Sequence, residues 1–357
     1  MIIGKYIKIA VLLVAGNCLM SGSVMADEPL EGRHVSTYVG FSPDMDHLLH
    51  VEGDLESIYE DLGAKGIRLP VSMDKAYPTN RSSEPSERYF DRIKTIIRTW
   101  VGVTFGRSKT SEADTKKGDR TGLGAGLQIV LGDPPHWWLR EKKENKVAKL
   151  TEFASAVAAL VQKAVGKGIY DYGKGYLGEG DIAPYDGHIS YQLWNEDNNG
   201  KDFGPDNVEF LQVIANAVSA GTSVDKTWLG VNTADSGWEK YMDDTVAALS
   251  ENLNGVGIKT FPDQYRQGRH KHGIFEQGWD AVKLLVSRLN DANKPGYAHK
   301  DGGILETGYA TWNEVIANQR LQADWITTKL AKDLLVNITT LNGENKRGIT
   351  MVAWKDW

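Results

Sequence analysis

The stretch Gly126-Leu127-Gln128-Ile129-Val130-Leu131-Gly132 is a short apolar run bounded by glycines. A polar turn with two adjacent prolines, Pro134 and Pro135, follows it, and an amphipathic stretch then covers Lys146–Val165. The first run is typical of a buried strand, and the longer stretch after it favours a helix. Together they predict one strand–helix unit of a parallel sheet, with the helix packed on the sheet.

The same unit recurs along the whole sequence. Seven further strand candidates are short and apolar: Val35–Phe41, Gly66–Val71, Ile189–Trp194, Trp228–Asn232, Val256–Phe261, Gly303–Glu306 and Gly348–Trp354. Six further amphipathic stretches lie between them: Asp44–Leu62, Ser86–Val101, Asn207–Ala220, Trp238–Leu253, Phe275–Leu289 and Asn313–Leu341. Eight strands alternating with seven helices predict an α/β protein with a (β/α)8 TIM barrel. Open sheets of alternating type more often hold about five to seven strands.

Two departures from a regular barrel are expected. The sequence ends at Trp357, directly after the eighth strand, so we expect the barrel to lack its last helix, or the reading frame to be incomplete. The stretches Thr104–Gly124 and Tyr170–His188 are long and polar, which predicts loops with a functional role or high mobility. Because the second loop is rich in tyrosine and leads into the fourth strand, we expect it to form one wall of a substrate cleft.

The N-terminus has the layout of a secretory signal peptide. Two early lysines precede an apolar run over Ile9–Ala15, and small residues end the segment at Ala26. The apolar run is shorter than the roughly 20 residues that span a bilayer, which argues against a membrane anchor. We therefore predict that residues 1–26 are cleaved, that residues 27–357 form a single domain, and that this domain is secreted or periplasmic.

Composition excludes several classes of function. The chain carries 41 Lys and Arg against 47 Asp and Glu, a net charge of −6 at pH 7. An acidic chain has no electrostatic reason to bind nucleic acid or an anionic membrane. The single cysteine, Cys18, lies in the predicted signal peptide, so neither a disulfide nor thiol chemistry is expected in the mature domain. A chain of this length can bury a large core without disulfides.

Two strand ends place a carboxylate in an apolar setting. Glu196 follows Leu193-Trp194, and Glu306 follows Ile304-Leu305. In a barrel enzyme the catalytic residues lie where strands end and the following loops begin. Two carboxyl groups facing each other there, about 5–5.5 Å apart, can cleave a glycosidic bond with retention of configuration. The alternative is that both glutamates are structural and pair with Arg68.

Five motifs in the expected order resemble clan A of the glycoside hydrolases, retaining barrel enzymes with Asn-Glu ending the fourth strand and Glu ending the seventh. The resemblance covers Val35 to Trp357 and is closest in style to families 5 and 39. The motifs are Gly66-Ile67-Arg68-Leu69-Pro70, Pro134-Pro135-His136-Trp137, Trp194-Asn195-Glu196, Ile304-Leu305-Glu306-Thr307-Gly308-Tyr309 and Trp354 with Asp356-Trp357.

The resemblance implies roles for these residues. Glu196 corresponds to the acid/base, and Glu306 corresponds to the nucleophile, kept ionised by Arg68. Asn195 corresponds to the residue that hydrogen-bonds the sugar 2-hydroxyl, and Trp354 to the residue that stacks on the sugar in the −1 subsite. The implied activity is hydrolysis of β-glycosidic bonds in a polysaccharide or oligosaccharide by double displacement. The predicted substrate-binding residues are Arg68, Asn195, His136, Trp137, Lys259, Tyr265 and Trp354.

The sixth strand departs from the family pattern, which has His and Tyr near the nucleophile. Here Lys259 takes the position of the histidine, and the nearest tyrosine is Tyr265, one loop later. A lysine beside the carboxylate pair can lower their pKa values or contact an acidic sugar. Of the neighbouring indoles Trp137 and Trp138, we expect one to pack in the core and the other to be available as a sugar platform.

Two other functions use the same site. One is a catalytically impaired pseudo-glycosidase that binds glycan without cleaving it, and the other is a transglycosylase. No cofactor and no metal are expected: His270 and His272 lack carboxylate or cysteine companions, and the run Asp197–Gly200 is most simply a turn, although it can hold Ca²⁺ weakly. The expected partner is a carbohydrate, and the chain is expected to be a monomer.

Overall fold

The computed structural model describes residues 39–42, 55, 66–104, 126–165, 168–171, 175–179, 188–195, 198, 202–220, 226–233, 235–260, 274–307 and 335–355. Ten strands lie in these ranges: β1 (Val39–Ser42), β2 (Gly66–Ser72), β3 (Gly126–Gly132), β4 (Gly168–Asp171), β5 (Gly175–Glu179), β6 (His188–Gln192), β7 (Lys226–Asn232), β8 (Gly255–Lys259), β9 (Asp301–Thr307) and β10 (Ile349–Lys355).

Eight of the strands close into a parallel barrel. Their order around the ring is β1, β2, β3, β6, β7, β8, β9 and β10. The ring is closed where Val39 of β1 pairs with Val352 of β10. The predicted (β/α)8 barrel is therefore confirmed, and each of the eight predicted strands overlaps one barrel strand.

Helices follow the strands and cover the outside of the barrel. Those in the described ranges are α1 (Met73–Ala76), α2 (Glu87–Thr104), α3 (His136–Leu139), α4 (Lys143–Val165), α5 (Asn207–Ser219), α6 (Trp238–Ala248), α7 (Ile274–Asn290) and α8 (Leu335–Gly343). None of the helices in these ranges is long and apolar enough to cross a membrane. The predicted signal peptide lies outside them and stays a prediction.

Alternate residues of each strand face the helices. In β3, Leu127, Ile129 and Leu131 are fully buried and belong to the apolar core between the barrel and its helices. The other side of the strand, which carries Gln128 and Val130, is also buried but faces the barrel interior. Because both faces of the sheet are covered, the sequences of the strands are nearly continuous apolar runs, as in other parallel sheets.

Glycines make room for large side chains inside the barrel. A Cβ atom on Gly255 would lie 2.4 Å from the indole of Trp228, and one on Gly303 would lie 2.8 Å from the same ring. A Cβ on Gly257 would lie 2.3 Å from Leu305. Trp228 and Leu305 thus fill part of the barrel interior, in space that these three glycines leave open.

One prediction about the loops is wrong. The stretch Tyr170–His188 was expected to be a polar loop, but β4 and β5 form a two-stranded antiparallel sheet in which Tyr170 pairs with Tyr176. The tyrosine and isoleucine residues in these two segments favour strands. The other predicted loop, Thr104–Gly124, lies outside the described residues except for Thr104, which ends α2.

Two predicted elements end a few residues beyond the observed ones. The strand expected over Ile189–Trp194 ends at Gln192, although the backbone N–H of Leu193 still donates to Trp228 at 3.0 Å. The helix expected over Trp238–Leu253 ends at Ala248 and is followed by a 3₁₀ turn over Ser250–Asn252. An apolar pattern continues through such irregular segments because they still pack on the core, so it does not locate the end of an element.

Candidate active site

A bulge at the end of β9 turns Glu306 into the barrel. Ile304 pairs with Ile258 and Glu306 pairs with Lys259, so β9 holds one extra residue at this point. Strand residues alternate between the two faces, and Leu305 already faces the interior, so an unbroken strand would turn Glu306 outward. The extra residue lets both side chains point inward, which is a common use of bulges next to active sites.

Two cations contact the same oxygen of Glu306. Arg68 of β2 hydrogen-bonds Oε1 through Nη1, and Nζ of Lys259 of β8 lies 3.4 Å from that oxygen. The exposed fractions of the side chains of Arg68, Lys259 and Glu306 are 4%, 0% and 1%. Opposite charges at this distance and depth favour the ionised carboxylate. The predicted proximity of Arg68 to Glu306 is therefore present.

Gln192, at the end of β6, holds Arg68 in place. Its Oε1 accepts from Nε of Arg68 at 3.3 Å and from Nη2 at 2.8 Å. Its own Nε2 donates to the backbone oxygen of Trp194 at 2.6 Å. Gly230 on the next strand leaves the space, because a Cβ there would lie 2.3 Å from Nε2 of Gln192. Sequence reasoning missed Gln192; the available signal was a polar residue inside an apolar strand.

Asn195 reaches the same cluster from the loop after β6. Its Oδ1 accepts a hydrogen bond from Nζ of Lys259 and lies 3.4 Å from Nη2 of Arg68. A Cβ on Gly132, at the end of β3, would lie only 3.0 Å from the Cβ of Asn195, so the glycine allows the two segments to approach closely. Four predicted site residues, Arg68, Asn195, Lys259 and Glu306, thus meet at one end of the barrel.

The side chains of three other predicted site residues lie outside the part of the chain that the structure describes. Glu196 and Tyr265 lie outside the described residues, and only the backbone of Trp354 is described, in β10. Two positions after Glu196 in the sequence, the side chain of Asn198 is fixed to the end of β7: Nδ2 donates to the backbone oxygen of Asn232 at 2.8 Å, and Oδ1 accepts from the backbone N–H of Asn232 at 2.9 Å. The amide of Asn198 therefore has a structural role.

The segment after β3 carries the predicted aromatic residues. Trp138 is fully buried, and its indole N–H donates to the Lys146 oxygen at 3.1 Å, so it is the core residue of the pair. Trp137 is partly buried, and its indole N–H donates to the backbone oxygen of Tyr77 at 3.0 Å. His136 is exposed at the start of α3. The face of the Trp137 indole is the part of that side chain suited to contact a sugar.

Asp133 is a further acidic residue at this mouth. It directly follows β3 with φ at 54°, in the left-handed region that Asp tolerates better than most residues. Partial burial raises the pKa of its carboxyl group, and the carboxylate of Asp202 adds to this effect. The ammonium groups of Lys75 and Lys259 oppose it without reversing it. Asp202 itself accepts from the Trp194 indole N–H at 2.9 Å.

No cation site accompanies these acids within the described ranges, where no group of three or more His, Cys, Asp or Glu side chains is arranged to hold a metal ion. The charges at this end of the barrel are instead balanced by Arg68, Lys259 and Lys75. The arrangement suits covalent chemistry by a carboxylate, because a buried ionised carboxylate held by cations at a strand end is a candidate nucleophile. His270 and His272, for which the sequence predicts no metal site, lie outside these ranges.

Comparison with known proteins gives the fold. No protein-family model and no curated protein matches the sequence. Among solved structures, the Ignisphaera aggregans GH53 catalytic domain is 14% identical with a TM-score of 0.57, and the match covers 92% of this chain and 87% of that one. The apo structure of a beta-glucosidase 1317 is 11% identical with a TM-score of 0.50, covering 87% and 78%. This chain therefore shares the (β/α)8-barrel fold of these two solved structures.

Proposed function

We propose that this chain is a secreted, retaining glycoside hydrolase that cleaves β-glycosidic bonds in a polysaccharide or oligosaccharide. Glu306 is the nucleophile and Glu196 is the acid/base. Arg68, Asn195, His136, Trp137, Lys259, Tyr265 and Trp354 form the substrate site. The working protein begins at Asp27, acts outside the cytoplasm as a monomer, and needs neither a metal nor a cofactor.

The observation that carries the proposal is the surroundings of Glu306. A buried carboxylate with an arginine and a lysine on one oxygen is costly to form, because three charged groups leave water. Such a cluster adds little to stability compared with apolar packing, so its presence at the strand ends favours a chemical role. A nucleophile must be ionised when the substrate arrives, and the two cations favour that form.

The proposed reaction uses the two glutamates in two successive steps. Glu196 donates a proton to the glycosidic oxygen as the bond to the anomeric carbon breaks, and a carboxylate oxygen of Glu306 bonds to that carbon. Water, deprotonated by Glu196, then attacks the same carbon, and the bond to Glu306 breaks. Two displacements restore the starting configuration. Asn195 contributes a hydrogen bond to the sugar 2-hydroxyl, which is stronger in the transition state.

Product analysis on a panel of β-linked glycans tests the activity and its stereochemistry. We expect purified protein to release new reducing ends, and ¹H NMR at early times to detect the β-anomer first. Early appearance of the α-anomer would mean inversion and would contradict the role of Glu306. Glycan binding without any product would favour the pseudo-glycosidase, and products longer than the substrate would favour the transglycosylase.

Azide rescue tests the role of Glu196. In Glu196→Ala the first step is expected to survive only on substrates with a good leaving group, because these need no proton. The second step then lacks its base, and added azide should replace water and give a β-glycosyl azide. No rescue on an activated substrate, in a variant that is folded, would assign the acid/base role to another residue.

A further inference from the structure

We infer that Lys259 is a positioning residue that fixes the side-chain amide of Asn195 with its oxygen inward and its NH₂ group toward the sugar. This inference rests on the proposed function and adds a role for Lys259 besides the sugar contact that the sequence predicts. Lys259, which stands on β8 where the family pattern has a histidine, then decides how the 2-hydroxyl is recognised.

The direction of the amide follows from the hydrogen-bond chemistry of its neighbours. Nζ of Lys259 contacts Oδ1 of Asn195, and Nη2 of Arg68 lies 3.4 Å from the same atom. An ammonium and a guanidinium group can only donate, so the amide atom that faces them must be the oxygen. The reverse orientation would place the NH₂ group against two donors.

Lys259 is itself held at a fixed point. Its side chain is fully buried at the end of β8, and its Nζ lies 3.4 Å from Oε1 of Glu306. The next residue fixes the two strand ends to each other, because the backbone N–H of Thr260 donates to the backbone oxygen of Glu306 at 3.0 Å. Lys259 therefore connects the nucleophile with Asn195, and the distance between these two side chains depends on it.

The fixed amide requires a hydrogen-bond acceptor at the 2-position of the sugar. With Oδ1 held by cations, Nδ2 of Asn195 is the polar atom left to face the substrate, and it can only donate. The 2-position of the sugar must then offer an acceptor, which a free hydroxyl does. A histidine at position 259 could donate or accept according to its tautomer, so it would not fix the amide in this way.

The test compares a substrate with its 2-deoxy analogue. The probe is the aryl β-glycoside that the unmodified protein cleaves fastest, and the measured quantity is the ratio of kcat/KM for the parent to that for the 2-deoxy analogue. We expect a ratio on the order of 10³ for the unmodified protein, since the 2-hydroxyl contact strengthens in the transition state. In Lys259→Met only the longer contact from Arg68 still holds the amide oxygen, so the amide turns more readily and the ratio should fall at least about tenfold.

Two further variants separate positioning from other roles. Lys300 is a second buried lysine, bonded to the backbone oxygen of Ser250, and Lys300→Met should keep the original ratio. In the background Asn195→Ala, the additional change Lys259→Met should leave the ratio unchanged, because the residue through which Lys259 acts is gone. A further fall in that background would mean that Lys259 contacts the 2-hydroxyl itself, and it would overturn the inference.

A second readout does not depend on turnover. The ¹³Cγ resonance of Asn195, in protein labelled at asparagine, reports hydrogen bonds to Oδ1 and should move in Lys259→Met but not in Lys300→Met. An unmoved resonance together with an unchanged kcat/KM ratio in folded Lys259→Met would refute the positioning role. Absence of activity of the unmodified protein on every glycoside would refute the proposed function instead, and the resonance would still test Lys259.

Discussion

Two carboxylates in this barrel each contact one arginine and one lysine. Glu306 lies inside the mouth, with Arg68 and Lys259, and its side chain is 1% exposed. Asp243 lies on α6 in the outer layer, 3.1 Å from Nε of Arg288 and 2.8 Å from Nζ of Lys294, and its side chain is 18% exposed. Each cluster combines one carboxylate with one guanidinium and one ammonium group, but the two clusters differ in how deeply they are buried.

The difference in depth separates a structural cluster from a chemical one. Asp243 joins α6 to α7 and to the segment before β9, and it also accepts from the hydroxyl of Tyr297 at 2.8 Å. Partial burial acts to raise its pKa, but the hydrogen bonds from Lys294 and Tyr297 and the charge of Arg288 outweigh this, so the pKa lies below its ordinary value. In the buried Glu306 cluster, the loss of hydration of three charges cancels much of the stability that their attraction contributes.

The largest expected effect is on catalysis. Glu306→Gln keeps the size of the side chain and removes the nucleophile, so kcat on the best glycoside should fall by about 10⁴-fold or more, the scale seen when a covalent nucleophile is removed. Asp243→Asn, the matched change in the outer cluster, should keep kcat within about twofold. Steady-state kinetics on both folded variants measure kcat. Near-normal turnover by Glu306→Gln would contradict the chemical role of the inner cluster.

The second prediction concerns the stability of the two clusters. Arg68→Met takes a cation from a carboxylate that stays buried, which should lower the free energy of unfolding by about 3 kcal/mol. Arg288→Met removes a partly exposed partner of Asp243 and should cost only about 0–1 kcal/mol. Urea unfolding followed by circular dichroism measures both variants. Equal losses would mean that depth does not distinguish the clusters.

The pH dependence of the outer cluster gives a smaller effect. Because the folded-state pKa of Asp243 is below its ordinary value of 3.8, its contribution to stability is present above that pH and is lost as the pH falls through the folded pKa. Asp243→Asn should therefore lower the free energy of unfolding at pH 7 by about 1 kcal/mol. The difference from the unmodified protein should shrink below about pH 4. A pH-independent difference would contradict the lowered pKa.

Asp133 should give the smallest effect, with the opposite sign. Its folded-state pKa lies above the ordinary value of 3.8, so ionisation costs more in the folded protein than in the unfolded one and lowers stability as the pH rises. Asp133→Asn keeps a residue that tolerates φ of 54° and should raise the free energy of unfolding at pH 7 by less than about 0.5 kcal/mol. At about pH 3 the two proteins should be equally stable, and a loss of stability at pH 7 would reverse our interpretation of the site.

Several site residues could be recognised in the sequence because their signal is local. Asn195 and Glu306 stand directly after apolar runs, and such positions become the mouth of a parallel barrel whatever the detailed packing. Gln192 could not be recognised in this way. Its role depends on Arg68 from another strand and on the absence of a side chain at Gly230, and neither is visible from the residues next to it.

The sequence by itself determined the order and type of the barrel elements, since apolar periodicity and glycine placement act over a few neighbouring residues. Only the tertiary structure decided the charge arrangement at the mouth. Arg68 and Glu306 stand 238 positions apart and meet only when the ring of strands closes. The inward turn of Glu306 needs an extra residue in β9 relative to β8, and register is a property of two strands together, so neither strand alone could specify it.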